Sequence, residues 1–155
     1  MTDRQLLTRF DKDSGRWRPY KYGVNVLVPV TEGQWGEGTI QILNQPFVMN
    51  RISHGVVGNT NDYAANGLAD DGQYYIEWRE EITSYQNQGL VAKEAYGTRD
   101  YPLLLPAPIP FAGNKVLTFR VSSTYTRVLT PDADDFVVNI VVHGIADLGP
   151  ARRMV

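Results

Sequence analysis

The chain has no cysteine among its 155 residues. That excludes disulfides, thiolate nucleophiles and the zinc sites that depend on cysteine ligands. It suits a protein made in a reducing cytoplasm. Histidine is almost as scarce, with only His54 and His143. Long apolar runs are missing too. Stretches such as Leu103 to Leu105 and Ile140 to Val142 are far shorter than the about 20 residues of a membrane-spanning helix. Met1 to Leu7 lacks the apolar core of a secretory signal. Charge of one sign does not dominate: the formal net charge is -2, which gives the whole chain no electrostatic footprint for nucleic acid. No internal repeat and no low-complexity tract occurs. These absences lead us to expect a soluble protein with neither a membrane nor a nucleic-acid partner.

What is present is a period of two. Tyr20, Tyr22, Val24, Val26, Val28 and Val30 alternate with Lys21, Gly23, Asn25, Leu27 and Pro29. Side chains of a strand alternate faces, so this segment reads as a strand with one buried face. No helix-period stretch of comparable strength competes with it. Hydrophobic content of 43% and charged content of 21% are those of a globular chain, and the length fits one domain.

Further strands are expected at Thr39–Leu43, Phe47–Val57, Gln73–Ile82, Lys115–Tyr125 and Phe136–Ile145. In Gln73–Ile82, Tyr74, Ile76 and Trp78 take one face and Tyr75, Glu77 and Arg79 the other. In Lys115–Tyr125, Leu117, Phe119 and Val121 point inward. Phe136–Ile145 is apolar on both faces, which marks a central strand or one covered by a partner. Tyr101–Phe111 contains Pro102, Pro106, Pro108 and Pro110 and reads as an edge strand or an extended crossing. Gly33, Gly36 and Gly38 mark 31–38 as a loop, and 58–71 reads as a long polar loop. A helical turn is plausible only at Leu90–Tyr96. About eight strands with long, uneven loops predict an all-β, antiparallel β-sandwich, of the jelly-roll kind. The expected organisation is an extended N-terminal arm at 1–19, the sandwich at 20–148 and a C-terminal tail at 149–155. The arm is locally basic, with Arg4, Arg9, Lys12, Arg16 and Arg18 against three aspartates. It reads either as a frayed terminus or as an arm that docks on a neighbouring subunit.

Reactive constellations are thin. His54, His143 and Asp147 are a conceivable metal set, set against two ordinary structural histidines. Ser53 beside His54 is no catalytic pair, because strand neighbours point to opposite faces. Glu77, Glu80 and Glu81 are candidate carboxylates for glycoside hydrolysis, or simply solvated. Asp132, Asp134 and Asp135 are a calcium candidate without the pattern of an EF-hand loop. The glycines at 33, 36 and 38 precede a strand, not a helix, and make no phosphate loop. Loop aromatics (Trp35, Tyr63, Tyr85, Tyr96 and Tyr101) suit either sugar stacking or a protein interface, and their dispersal over several loops favours the interface. Residue chemistry alone goes no further than a soluble all-β domain with no expected cofactor, and a glycosidase or esterase stays open through Glu77, Glu80 and Glu81.

Three segments carry a resemblance. They are Asp-Gly-Gln-Tyr-Tyr-Ile-Glu-Trp-Arg (71–79), Pro-Leu-Leu-Leu-Pro-Ala-Pro-Ile-Pro-Phe-Ala-Gly-Asn-Lys-Val-Leu-Thr-Phe-Arg-Val (102–121) and Val-Val-Asn-Ile-Val-Val-His-Gly (137–144). Together they resemble small structural proteins of tailed-bacteriophage virions, and most of all jelly-roll capsid decoration, or cement, proteins. The resemblance covers about half the chain. It implies a homo-oligomer, a dimer or trimer, on the capsid exterior that bridges major capsid protein subunits and has no enzyme activity. A collar, head–tail connector or tail component is the alternative within virions, and a carbohydrate- or receptor-binding module the alternative outside them. The interface residues expected on this reading are Arg4, Leu6, Leu7, Arg9 and Phe10 of the arm, Trp35, and Tyr101, Pro106, Pro108 and Phe111.

Overall fold

The computed structural model describes residues 17–29, 33–57, 74–86, 89–98, 101–123 and 136–148. Ten strands lie in these spans: β1 (Trp17–Val28), β2 (Trp35–Gln41), β3 (Phe47–Val57), β4 (Tyr74–Glu80), β5 (Thr83–Ser84), β6 (Leu90–Val91), β7 (Gly97–Thr98), β8 (Leu103–Phe111), β9 (Val116–Ser123) and β10 (Phe136–Asp147). One helical turn, α1 (Ala92–Ala95), sits where the sequence allows one.

The strands form two sheets. Sheet I runs β1-β10-β3, with β7 and β8 both against β3. Sheet II runs β2-β9-β4, with β5 and β6 both against β4. All pairings are antiparallel except the two-residue contact of β3 with β7. The chain changes sheet at each successive long strand from β1 to β4, and again through β8, β9 and β10. The last strand lies between the first and third, and β9 between the second and fourth. This interleaving is the jelly-roll form of the β-sandwich.

Alternation dictates the core. Val26 and Val28 of β1, Ile76 and Trp78 of β4, Leu117, Phe119 and Val121 of β9, and Val138, Ile140 and Val142 of β10 are all buried in one cluster. Each fully buried side chain of this size stabilises the fold by about 1.5–3 kcal/mol. β10 is apolar on both faces because it is central, flanked by β1 and β3. Trp78 and Phe119 are direct cross-strand partners, their rings stacked 5.8 Å apart. Tyr85 stacks on the far side of Trp78 at 4.4 Å and covers this open edge of the core.

Two elements differ from expectation. β1 begins at Trp17, three residues earlier than the alternation suggested. Trp35 to Gly38 are strand, not loop. The glycines are there because β1 crosses close over β2. A Cβ on Gly36 would sit 1.9 Å from the Leu27 carbonyl oxygen, and one on Gly38 would sit 2.7 Å from Val24 Cγ2. Close backbone approach is a recognised role for glycine within a strand.

Tyr101–Phe111 is an edge strand, β8, and its ladder explains the prolines. Phe111, Pro110 and Ile109 pair with Phe47, Val48 and Met49, and Leu104 and Leu103 pair with Arg51 and Ile52. Leu105 to Pro108 therefore stand against the single residue Asn50. Pro106 and Pro108 fall inside this bulge, where no ladder donor is needed.

Candidate interface on sheet I

The outer face of sheet I is built by register. One cross-strand row holds Lys21 on β1, His143 on β10, Arg51 on β3 and Leu104 on β8. Lys21 and Arg51 are exposed and His143 is half-buried. The next row holds Gly23, Val141 and Ser53, and the one beyond it Asn25, Asn139 and Gly55. Asn139 donates to the Asn25 side chain at 2.9 Å. His143 Nε2 lies 2.9 Å from Ser53 Oγ, a hydrogen bond that fixes the imidazole against the sheet. Burial, then Lys21, then Arg51, holds the His143 pKa below its usual value.

At the β8 edge this face turns apolar. Leu104 continues this face and is 49% exposed, and Tyr101 just ahead of β8 is 83% exposed; Leu103, 36% exposed, pairs with the core residue Ile52 and takes the opposite face. Gly97 lets β7 pass under this segment, since a Cβ there would lie 2.0 Å from the Leu103 nitrogen. Of these side chains, Tyr101 and Arg51 are of the types enriched at protein interfaces.

The residues expected at an interface scatter on inspection. Tyr101 is exposed at the β8 edge, and Pro106 is exposed in the bulge with Pro108 half-buried beside it. Phe111 is a correction: it is 2% exposed and belongs to the core. It closes β8 opposite Phe47, edge-on to Trp78, so it cannot reach a partner. Trp35 lies on the outer face of sheet II. It is half-buried, with the Arg120 guanidinium 5.0 Å over its ring and Gly89 against its edge. Arg4, Leu6, Leu7, Arg9 and Phe10 lie outside the described residues, as do Tyr63 and the aspartates at 132, 134 and 135.

The chemical constellations resolve into structural roles. His54 points into the core, with Nδ1 2.5 Å from the Tyr74 hydroxyl, whereas His143 points outward. The two histidines thus lie on opposite faces of sheet I, apart from each other. Among the described residues no three His, Asp or Glu side chains converge as metal ligands. Glu77 accepts from Arg120 at 2.6 Å, and Glu80 and Glu81 both lie near Lys115, at 3.7 and 3.4 Å. Glu80 also accepts from the Tyr85 hydroxyl, and burial with this contact pushes the phenol up to about 12. Beside them, on the outer face of sheet II, lies a cavity of about 190 Å³ lined by Glu77, Arg79, Ile82, Ser84, Gln86 and Arg120. It is smaller than the about 300 Å³ at which small-molecule sites begin.

The cationic row escaped the sequence reading. The outward phase of Lys21 is visible in the alternation of β1, but the row exists only because β10 lies between β1 and β3. No protein-family model, no curated protein and no solved structure matches this chain.

Proposed function

We propose that this chain is a non-enzymatic structural protein of a tailed-bacteriophage virion, a decoration protein on the capsid exterior. It is made in the host cytoplasm, assembles as a small homo-oligomer and bridges major capsid protein subunits. The observation that carries the reading is the exposure of Leu104 on the outer face of sheet I and of Tyr101 just ahead of β8. A free sheet edge is ordinarily a hazard, because it recruits a further strand. Here the prolines of β8 remove backbone donors, so the edge offers side chains in place of a strand-pairing template. That suits a fixed contact with a preformed surface. The resemblance of residues 71–79, 102–121 and 137–144 to virion structural proteins supports the same reading. A stable contact of this kind buries on the order of 1,000 Å² or more.

The test is co-sedimentation of the purified chain with mature, expanded heads that lack it, followed by cryo-electron microscopy. Density at capsid subunit junctions is the expected result. Density at one vertex alone would replace the reading with a collar or connector, and no binding to heads would end it.

A further inference from the structure

Most cations on the outer face of sheet II are ion-paired, Arg79 being the exception among the described residues, whereas the two on the outer face of sheet I are not. On sheet II, Arg120 is paired with Glu77 and Glu37, and Lys115 with Glu80 and Glu81. On sheet I, neither Lys21 nor Arg51 has an ion-pair partner among the described residues. They stand on either side of His143, each directly opposite it. Strands are about 4.8 Å apart, so the three groups fit within about 10 Å. Protonation of His143 would place like charges directly opposite each other across both ladders, which is destabilising. The isolated row therefore disfavours the imidazolium, and an anion bound there would relieve that.

The geometry around the row admits such an anion. His143 is anchored through Nε2 to Ser53, which leaves Nδ1 for a ligand. Gly23 and Ser53 hold the positions next to Lys21 and Arg51 in the adjacent row, which continues past Ser53 to Gly97, so little side-chain bulk stands over the two cations from that side. β1 contributes Lys21 against the imidazole and β3 contributes Arg51. The β8 position of the row is Leu104, which carries no charge. Burial first, and then the charges of Lys21 and Arg51, lower the His143 pKa, so the unneutralised cations contribute to that shift.

We propose that Lys21, His143 and Arg51 form a carboxylate-recognition site that receives an acidic segment of a protein partner, with Leu104 and Tyr101 as its apolar flank. Two observations favour protein over nucleic acid. The row ends at the exposed aliphatic Leu104, not in a further cation. The chain as a whole is anionic, at -2, whereas a nucleic-acid footprint is an extended basic stripe. The site rests on this face of sheet I being an interface, but not on the partner being a capsid protein.

The experiment is an NMR titration of the labelled full chain with an acetylated, amidated tetra-aspartate peptide at low ionic strength. We expect the His143 imidazole and the amides of Lys21 and Arg51 to shift, and the apparent pKa of His143 to rise on binding. The double variant Lys21→Gln/Arg51→Gln, checked for an unchanged thermal melt, should weaken binding by about tenfold or more. An unmoved His143, or undiminished binding by the double variant, would overturn the site. So would a thymidine oligonucleotide that displaces the peptide at lower concentration. Peptide binding without head binding would remove the capsid reading and keep the site. Head binding and peptide binding both left intact in the double variant would remove the site and keep the capsid reading.

Discussion

His54 on β3 and Tyr74 on β4 join the two sheets through the core, imidazole Nδ1 to phenol oxygen at 2.5 Å. Their rings meet edge to face, 5.4 Å apart. Both residues are more than nine-tenths buried, and among the described residues His54 Nε2 makes no hydrogen bond. Burial drives the His54 pKa down, and the nearby Ala92 and Tyr96 backbones offset it only in part. A polar link that spans a hydrophobic sandwich makes the protein sensitive to pH and to loss of either partner.

The folded imidazole of His54 titrates below its unfolded value of 6.5. The unfolded chain therefore takes up the proton first as pH falls. Stability is full above about pH 6.5 and declines below it. His143 is shifted the same way and adds to the decline. Urea denaturation at neutral and mildly acidic pH should show the midpoint falling with acidification, and His54→Gln should flatten that dependence. Tyr74→Phe strands the imidazole without its partner and should cost about 1–3 kcal/mol at neutral pH.

Glycine substitutions in β1 and β2 should part company. Gly36→Ala places a Cβ 1.9 Å from a backbone oxygen of β1, which no side-chain adjustment can relieve. We expect a loss of about 1–3 kcal/mol or more, or a chain that does not fold. Gly23→Ala meets nothing closer than 3.8 Å and should be neutral or stabilising by up to about 1 kcal/mol. Paired thermal melts decide it, and equal effects at the two positions would contradict the close crossing of β1 over β2.

Arg120 serves Glu77, Glu37 and the Trp35 ring at once. Arg120→Ala should cost about 1 kcal/mol, because these groups are all partly solvated. The loss should shrink in high salt, and Trp35 fluorescence should shift toward that of a more hydrated indole. A salt-independent loss would place the contribution in packing alone.

Tyr101→Ser and Leu104→Ser should separate stability from association. Both side chains are largely exposed, so melting should change by no more than about 0.5 kcal/mol. Binding to heads should fall sharply in quantitative co-sedimentation. Phe111→Ser is the contrasting variant. It empties a core position and should destabilise the fold by several kcal/mol, on the order of 3–5.

The sequence legibly carried the inward faces, because a period of two is a local property. Tyr74, Ile76 and Trp78, and Leu117, Phe119 and Val121, are all buried as their alternation requires. The centrality of β10 was legible too, from valines and isoleucines on both faces. What escaped were the properties of pairs. Gly36 and Gly38 look like loop residues until β1 is known to cross them. Phe111 looks like one end of an exposed strip until the bulge at Leu105 to Pro108 restores its pairing with Phe47. Lys21, His143 and Arg51 lie far apart in the chain and become one site only through strand order. Composition holds no trace of that order, which arises from long-range contacts.

The placement of β10 also has a consequence in time. It is the last of the described strands, yet all of β1 pairs with it, and it separates β1 from β3. While the chain is being synthesised, sheet I has its margins before it has its middle. β1 must wait for a partner made more than a hundred residues later, and a product stopped at residue 135 never supplies one. Non-local closure of this kind puts folding in the millisecond-to-second range and exposes unpaired strands meanwhile. The same late strand delivers His143 between Lys21 and Arg51, so the basic row comes into being only as sheet I closes.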